Sequence, residues 1–188
     1  SALRVDAIEA GCAVVCGSPV TSARVTGEGF ELQIGGAEPG SLPCRALVNA
    51  AGLGARAVGL AIEGLDPSKV PPLVLAKGSY FALAGGRSPF KRLVYPLPEP
   101  GGLGVHLTLD LDGQARFGPD IEWIEGMDYR VDQRRAATFY AAVRRYWPSL
   151  PDEALVPAYA GIRPKLTARG ELAADFLVQD PSDHGVPG

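Results

Sequence analysis

Two side chains in this sequence stand in settings that could do chemistry. His106 falls in Val105-His106-Leu107-Thr108-Leu109-Asp110-Leu111, where apolar and polar residues alternate. A period of two puts His106, Thr108 and Asp110 on one face of a strand and the leucines on the other. A neutral imidazole held there can take the proton of an alcohol while hydride leaves the same carbon. A histidine with a plain hydrogen-bonding place on a sheet face has the same spacing. Arg163 falls in Ala160-Gly161-Ile162-Arg163-Pro164-Lys165. Gly161 lets another chain pass closely, and Pro164 holds the arginine extended. A planar guanidinium presented that way suits bidentate binding of a carboxylate. An ordinary edge-strand arginine is the alternative.

Other motifs are weaker. Gly52-Leu53-Gly54-Ala55-Arg56-Ala57 fits the G-x-G-x-x-G/A pattern that cradles a pyrophosphate at a helix N-terminus. The full fingerprint calls for an acidic residue about 20 positions on. Here the following stretch carries Pro67, Pro71 and Pro72 and leads into Lys77. The motif therefore reads as a tight turn near a cofactor whose main phosphate site lies elsewhere. Lys77-Gly78-Ser79-Tyr80 and Tyr95-Pro96 are candidates for shaping a pocket. Arg134, Arg135, Arg144 and Arg145 read as a solvated helix face, and His184 as a loop residue. Cys12, Cys16 and Cys44 form no paired C-x-x-C units, so neither a zinc site nor a disulfide framework is indicated. Cys12 and Cys16 flank Ala13-Val14-Val15 and are expected to be buried and reduced.

Elements must position these groups. Ala2 to Ala10 can form a helix closed by Gly11, and Cys12 to Cys16 reads as a buried strand. Val20 to Thr26 and Phe30 to Ile34 alternate around Gly27-Glu28-Gly29, a hairpin signal. Arg45 to Ala51 reads as an apolar strand that Gly52-Leu53-Gly54 turns into a helix with Val58, Ala61, Ile62 and Leu65 on one face. Leu73 to Leu83 and Leu93 to Tyr95 are strand-like. Leu103 to Leu111 and Gln114 to Gly118 flank Asp112-Gly113, a strong hairpin turn. Asp132 can cap a helix running to Trp147, with Phe139, Tyr140, Val143, Tyr146 and Trp147 on its apolar stripe. Strands are expected again around Ala158 to Leu166 and Phe176 to Gln179.

The whole is 188 residues, enough for one domain or two small ones. Its 24 glycines and 17 prolines point to turns and short strands and exclude a helical bundle. A net charge of −3 argues against a nucleic-acid surface. No apolar run is long enough to cross a membrane, and no secretory signal is visible, so a cytoplasmic setting is expected. The chain opens on Ser1, and its one methionine is the internal Met127. We therefore expect it to be part of a longer polypeptide.

Several segments occur in an order that resembles one family: Leu47 to Leu53 (LVNAAGL), Lys77 to Phe81 (KGSYF), Leu93 to Pro100 (LVYPLPEP), Leu103 to Gly113 (LGVHLTLDLDG), Arg116 to Asp120 (RFGPD) and Tyr159 to Lys165 (YAGIRPK). They are similar to FAD-dependent oxidoreductases of the D-amino-acid oxidase superfamily, most of all its hydroxyglutarate-oxidising group. The resemblance implies an α/β (α+β) fold. A partial Rossmann-like FAD-binding domain would cover 1–54, a substrate domain on a mixed, mainly antiparallel sheet 55–166, and a strand returning toward the FAD domain 167–188. It implies FAD as cofactor, with Val20, Ala50, Ala51 and Gly52 near it; Ala51 stands where related oxidases often carry threonine. It implies Arg163 as the carboxylate ligand with Lys77 and Tyr95 assisting, and His106 as the base. The implied substrate is a small 2-hydroxy acid, with the electron acceptor left open. An amino-acid or amine oxidase of the same fold would use the same arginine, and a non-catalytic role for the isolated segment is the remaining alternative. The family's N-terminal GxGxxG and its glycine-rich closing segment have no counterpart in these residues.

Overall fold

A computed structural model describes residues 1–85, 88–97 and 104–186. Two of the segments quoted above therefore lie partly outside the described residues, at 98–100 and at 103. The chain divides into two compact units, residues 1–71 with 176–188, and residues 72–175. The seam thus falls after Pro71, later than the Gly54 boundary expected.

The first unit opens with α1 (Ala2–Glu9), after which Gly11 takes a positive φ of 87°. Its sheet has the order β3-β2-β1-β4, from β1 (Val20–Thr26), β2 (Gly29–Ile34), β3 (Gly40–Cys44) and β4 (Ile62–Glu63). β1 and β2 form the expected hairpin, with Ala23 opposite Leu32 and Val25 opposite Phe30. Those residues alternate inward, and Ala23, Phe30 and Leu32 bury a small core with Val186. On the other face Arg24 pairs with Glu31 at 2.5 Å.

Five expectations fail in this unit. Residues 12–16 form no strand, and Cys12 and Cys16 are exposed. Residues 45–51 are likewise irregular, with Val48 87 % exposed. Residues 176–179 are irregular too, and the returning segment orders only as α4 (Pro181–His184), capped by Asp180. An apolar run becomes a strand only if neighbours complete its ladder, and no described strand flanks these three. The helix after Gly52 is also shorter than its apolar pattern. A 3-10 turn at Gly52–Gly54 leads into α2 (Ala55–Leu60), and Ile62–Glu63 leaves the helix to pair in parallel with Ala23 and Arg24.

The second unit is built on β5 (Val74–Leu83), which pairs along its full length with β9 (Leu155–Lys165). Two short strands share its other edge. β7 (Ala115–Gly118) pairs at Phe81 and Ala82, and β8 (Glu122–Ile124) pairs at Leu75 to Lys77. β6 (His106–Leu109) extends the sheet beyond β7 through the Asp112-Gly113 turn, where Gly113 has φ 76°. Asp132 caps a 3-10 turn by accepting from the Arg134 N–H at 2.9 Å. That turn opens α3 (Ala136–Val143), which stops short of Trp147. Phe139 and Val143 of α3 pack on Phe81, Leu107, Phe117 and Leu155 to form the core, with Tyr140, Tyr146 and Trp147 at its margin. The Phe81 and Phe139 rings lie 4.6 Å apart.

Candidate active site

Strand register decides which side chains can meet, because residues directly opposite one another share a face. Along β5 and its neighbours, one face carries Arg163, Ala76 and Trp123 in one row, and Gly161 and Gly78 in the next. Farther along come Gly118 and His106, beside Tyr80, then Ala82, Arg116 and Thr108. Tyr80 stacks on Tyr159, ring centroids 4.5 Å apart and 14° from parallel. The opposite face carries Lys77, Ile162 and Glu122, then Ser79 and Ala160, then the apolar residues under α3.

Val94 bridges to Leu107 on the covered face. The next residue, Tyr95, therefore turns to the open face, where its ring packs on His106 at 4.1 Å between centroids. His106 is 7 % exposed and Tyr95 60 % exposed. An open cleft of about 1080 Å³ is bordered by Tyr80, Tyr95, Pro96, Gly161, Arg163 and Lys165, among others. His106 is not one of its bordering residues; it lies against Tyr95, which is. Arg163 is exposed, and no side-chain hydrogen bond or ion pair joins its guanidinium to another described residue, while its main chain lies in the β5–β9 ladder. Burial pushes the Tyr80 phenol above its ordinary pKa; the phenols of Tyr159 and Tyr95 add to this, and the Arg163 guanidinium opposes it. A Cβ at Gly161 would meet nothing within 4 Å, so the floor beside Arg163 is open.

The structure thus brings Arg163, Tyr95 and His106 to one face and sets Lys77 apart. Lys77 borders the cleft, but its side chain issues from the opposite face. It is 5 % exposed, and its ammonium lies 3.7 Å from Glu122 Oε2. Arg135 reaches the same carboxylate at 3.5 Å and holds Asp120 at 2.5 Å. Asp120 also accepts from the Ser79 N–H at 2.8 Å. This ionic cluster joins β5, β8 and the start of α3 beneath the open face. Sequence reading missed it, because its members are spread from Lys77 to Arg135 and only the fold assembles them. It also missed the stacking of Tyr159 on Tyr80. The Arg116 guanidinium lies 5.6 Å from the Tyr159 ring centroid and pairs with Asp110 at 3.1 Å. The Gln114 N–H, then Arg116, hold the Asp110 carboxyl below the usual carboxylate range.

The residues expected near a cofactor lie in the first unit. Val20 begins β1 and packs at the margin of the small core. Ala50, Ala51 and Gly52 are exposed, and Gly52 has φ 56°, a conformation L side chains rarely adopt. The Ala51 N–H is turned to Asn49 Oδ1 at 3.4 Å, while the Asn49 amide donates to the Ala55 carbonyl at 2.8 Å. Bare main chain of this kind fits close approach of a large cofactor. Among the described residues no group of histidine, cysteine and carboxylate side chains is arranged to hold a metal, and no helix is long and apolar enough to cross a membrane.

Comparison with known proteins places the chain in a family. The chain is 49 % identical over 153 residues to the mitochondrial L-2-hydroxyglutarate dehydrogenase of Arabidopsis thaliana, covering 76 % of this chain and 32 % of that protein. It is similar in backbone to glycine oxidase from Geobacillus kaustophilus, with a TM-score of 0.69 at 19 % identity over 98 % of this chain and 45 % of that one. It is also similar to L-α-glycerophosphate oxidase from Mycoplasma pneumoniae with FAD bound, with a TM-score of 0.68 at 19 % identity over 87 % of this chain and 42 % of that one. The chain spans about a third of the length of the curated relative and less than half of either structure. A family model described as "DAO: FAD dependent oxidoreductase" matches residues 1–186. With that match running over nearly every residue, the chain belongs to the DAO family of FAD-dependent oxidoreductases.

Proposed function

We propose that the protein oxidises a small 2-hydroxy acid, L-2-hydroxyglutarate, to its 2-oxo acid. The observation that carries this reading is the placement of Arg163 and His106 on one sheet face, with Tyr95 bordering the cleft and packed on His106. The 49 % identity to a protein named for that substrate supports the choice of acid.

Arg163, without an acidic partner among the described residues, binds the carboxylate beside the carbinol carbon through paired N–H donors. The Tyr80–Tyr159 stack and Tyr95 offer aromatic surface that orients the acid above Gly161. His106, fixed by Tyr95 against its ring, accepts the hydroxyl proton. Val20, Ala50, Ala51 and Gly52 are the residues of this chain that would hold FAD through main-chain contacts. Bound FAD supplies the hydride acceptor. Lys77 serves this site indirectly, as a buried counter-charge to Glu122 under β5.

The reading is tested by anaerobic flavin bleaching in the full-length enzyme. L-2-hydroxyglutarate should bleach the flavin within turnover time, and L-glutamate should not. Faster bleaching by the amino acid would replace this reading with an amino-acid oxidase.

A further inference from the structure

A 2-hydroxy diacid carries a second carboxylate that Arg163 cannot also hold. Four cations border the cleft: Lys77, Arg145, Arg163 and Lys165. Lys77 issues from the opposite face toward Glu122. Arg145 comes from the turn after α3 and not from the sheet face that bears Arg163. Lys165 lies two residues beyond Arg163 on β9, opposite Val74, so both side chains rise from one face about 6.6 Å apart along the strand. Its ammonium is 5.4 Å from the centroid of the Trp123 ring and has no acidic partner among the described residues.

The row beneath supplies the spacing. Trp123 and Arg163 flank Ala76 on neighbouring strands, two strand spacings or about 9.6 Å apart. Ala76 contributes only a methyl between them. A guanidinium therefore stands on one side of a small apolar floor, and an ammonium held by an indole stands on the other. That arrangement suits two carboxylates joined by a short hydrocarbon stem. We infer that Lys165 is the specificity-determining residue of this site: it takes the distal carboxylate of a 2-hydroxy diacid while Arg163 takes the proximal one and the carbon stem lies over Ala76. This inference rests on the proposed function and names what makes the site select a diacid. Trp123 holds the ammonium by its ring face, which positions the charge without neutralising it.

The test is equilibrium binding to the full-length, FAD-loaded enzyme by titration calorimetry. Glutarate, a diacid without the oxidisable hydroxyl, is compared with valerate, which has the same length and one carboxylate. The wild type should bind glutarate the more tightly. K165M, which keeps the stem over Trp123, should weaken glutarate about 10- to 100-fold, the range for loss of one charge-assisted hydrogen bond. Valerate binding should be unchanged, and K165R should restore glutarate affinity. Equal weakening of both ligands, retained glutarate preference in K165M, or no such preference in the wild type would each overturn the inference. The flavin-bleaching comparison separates the two failures. An enzyme that oxidises L-2-hydroxyglutarate and not L-glutamate, yet keeps its glutarate preference in K165M, loses only the Lys165 assignment.

Discussion

Replacing Asp120 by alanine should be among the most costly single changes in the second unit, although Asp120 is placed in no catalytic step. Its carboxylate accepts from the Ser79 N–H at 2.8 Å and from Arg135 Nε–H at 2.6 Å, with Arg135 Nη2 at 2.5 Å. The pair is largely removed from water, with side-chain exposures of 28 % for Arg135 and 12 % for Asp120. Removing one partner of a buried pair costs about 3–5 kcal/mol, because the other charge is left without compensation. Glu122 lies 3.5 Å from Arg135 and recovers part of that interaction, which argues for the lower end of the range. Against this, the Ser79 N–H loses its acceptor within a buried segment of β5. About 3 kcal/mol corresponds to a fall in melting temperature of roughly 6–12 °C for a chain of this size. Calorimetric melting of the D120A and D120N enzymes measures it, and D120N, which keeps an acceptor for Ser79, should fall between D120A and wild type. A shift below about 2 °C in D120A would instead place Asp120–Arg135 among screened surface pairs, which contribute at that level.

Three further outcomes follow from particular contacts. Phe139→Ala should destabilise the second unit by about 3–5 kcal/mol in denaturant titration, because the ring is fully buried against Phe81. Side-chain donors of Arg134, then its backbone N–H, hold the Asp132 carboxyl at about 2, below its unfolded value of about 3.9. The stabilisation is therefore present above pH 4 and lost as pH falls from 4 to 2. D132N should flatten that acid limb of the stability profile, and an unchanged limb would contradict the assignment. His106→Ala should depress turnover far more than FAD content, and near-normal turnover would remove it as the base.

Parity explains what could be read from the sequence. Strict alternation around His106 gave the right face for β6. Asp112-Gly113 marked the hairpin but not its register: Leu109 pairs with Ala115, one residue off the pairing a two-residue loop at 112–113 would set. Alternation has no bearing on Lys77 relative to Arg163, because those residues lie on different strands. Which faces they share depends on a pairing, Ala76 with Arg163, that local spacing does not contain. The apolar runs at 12–16, 45–51 and 176–179 looked like strands on composition, yet a strand is a property of its neighbours as much as of itself. Conversely, β3 was missed because Gly40 and Pro43 are poor strand residues. It forms as an edge on β2, where proline is tolerated. The Asp120–Arg135 cluster had no sequence signal beyond an arginine assigned to a solvated face.

On the proposed function, the sheet face bearing Arg163 holds the carboxylate of the oxidised acid. The most direct measurement of that binding is the KM of the full-length R163A enzyme for L-2-hydroxyglutarate, with FAD content checked alongside. Loss of one partner of a hydrogen-bonded charge pair costs about 2–5 kcal/mol, so KM should rise at least about 30-fold while FAD remains bound. A KM equal to that of the wild type at normal FAD content would show that Arg163 does not bind the substrate carboxylate.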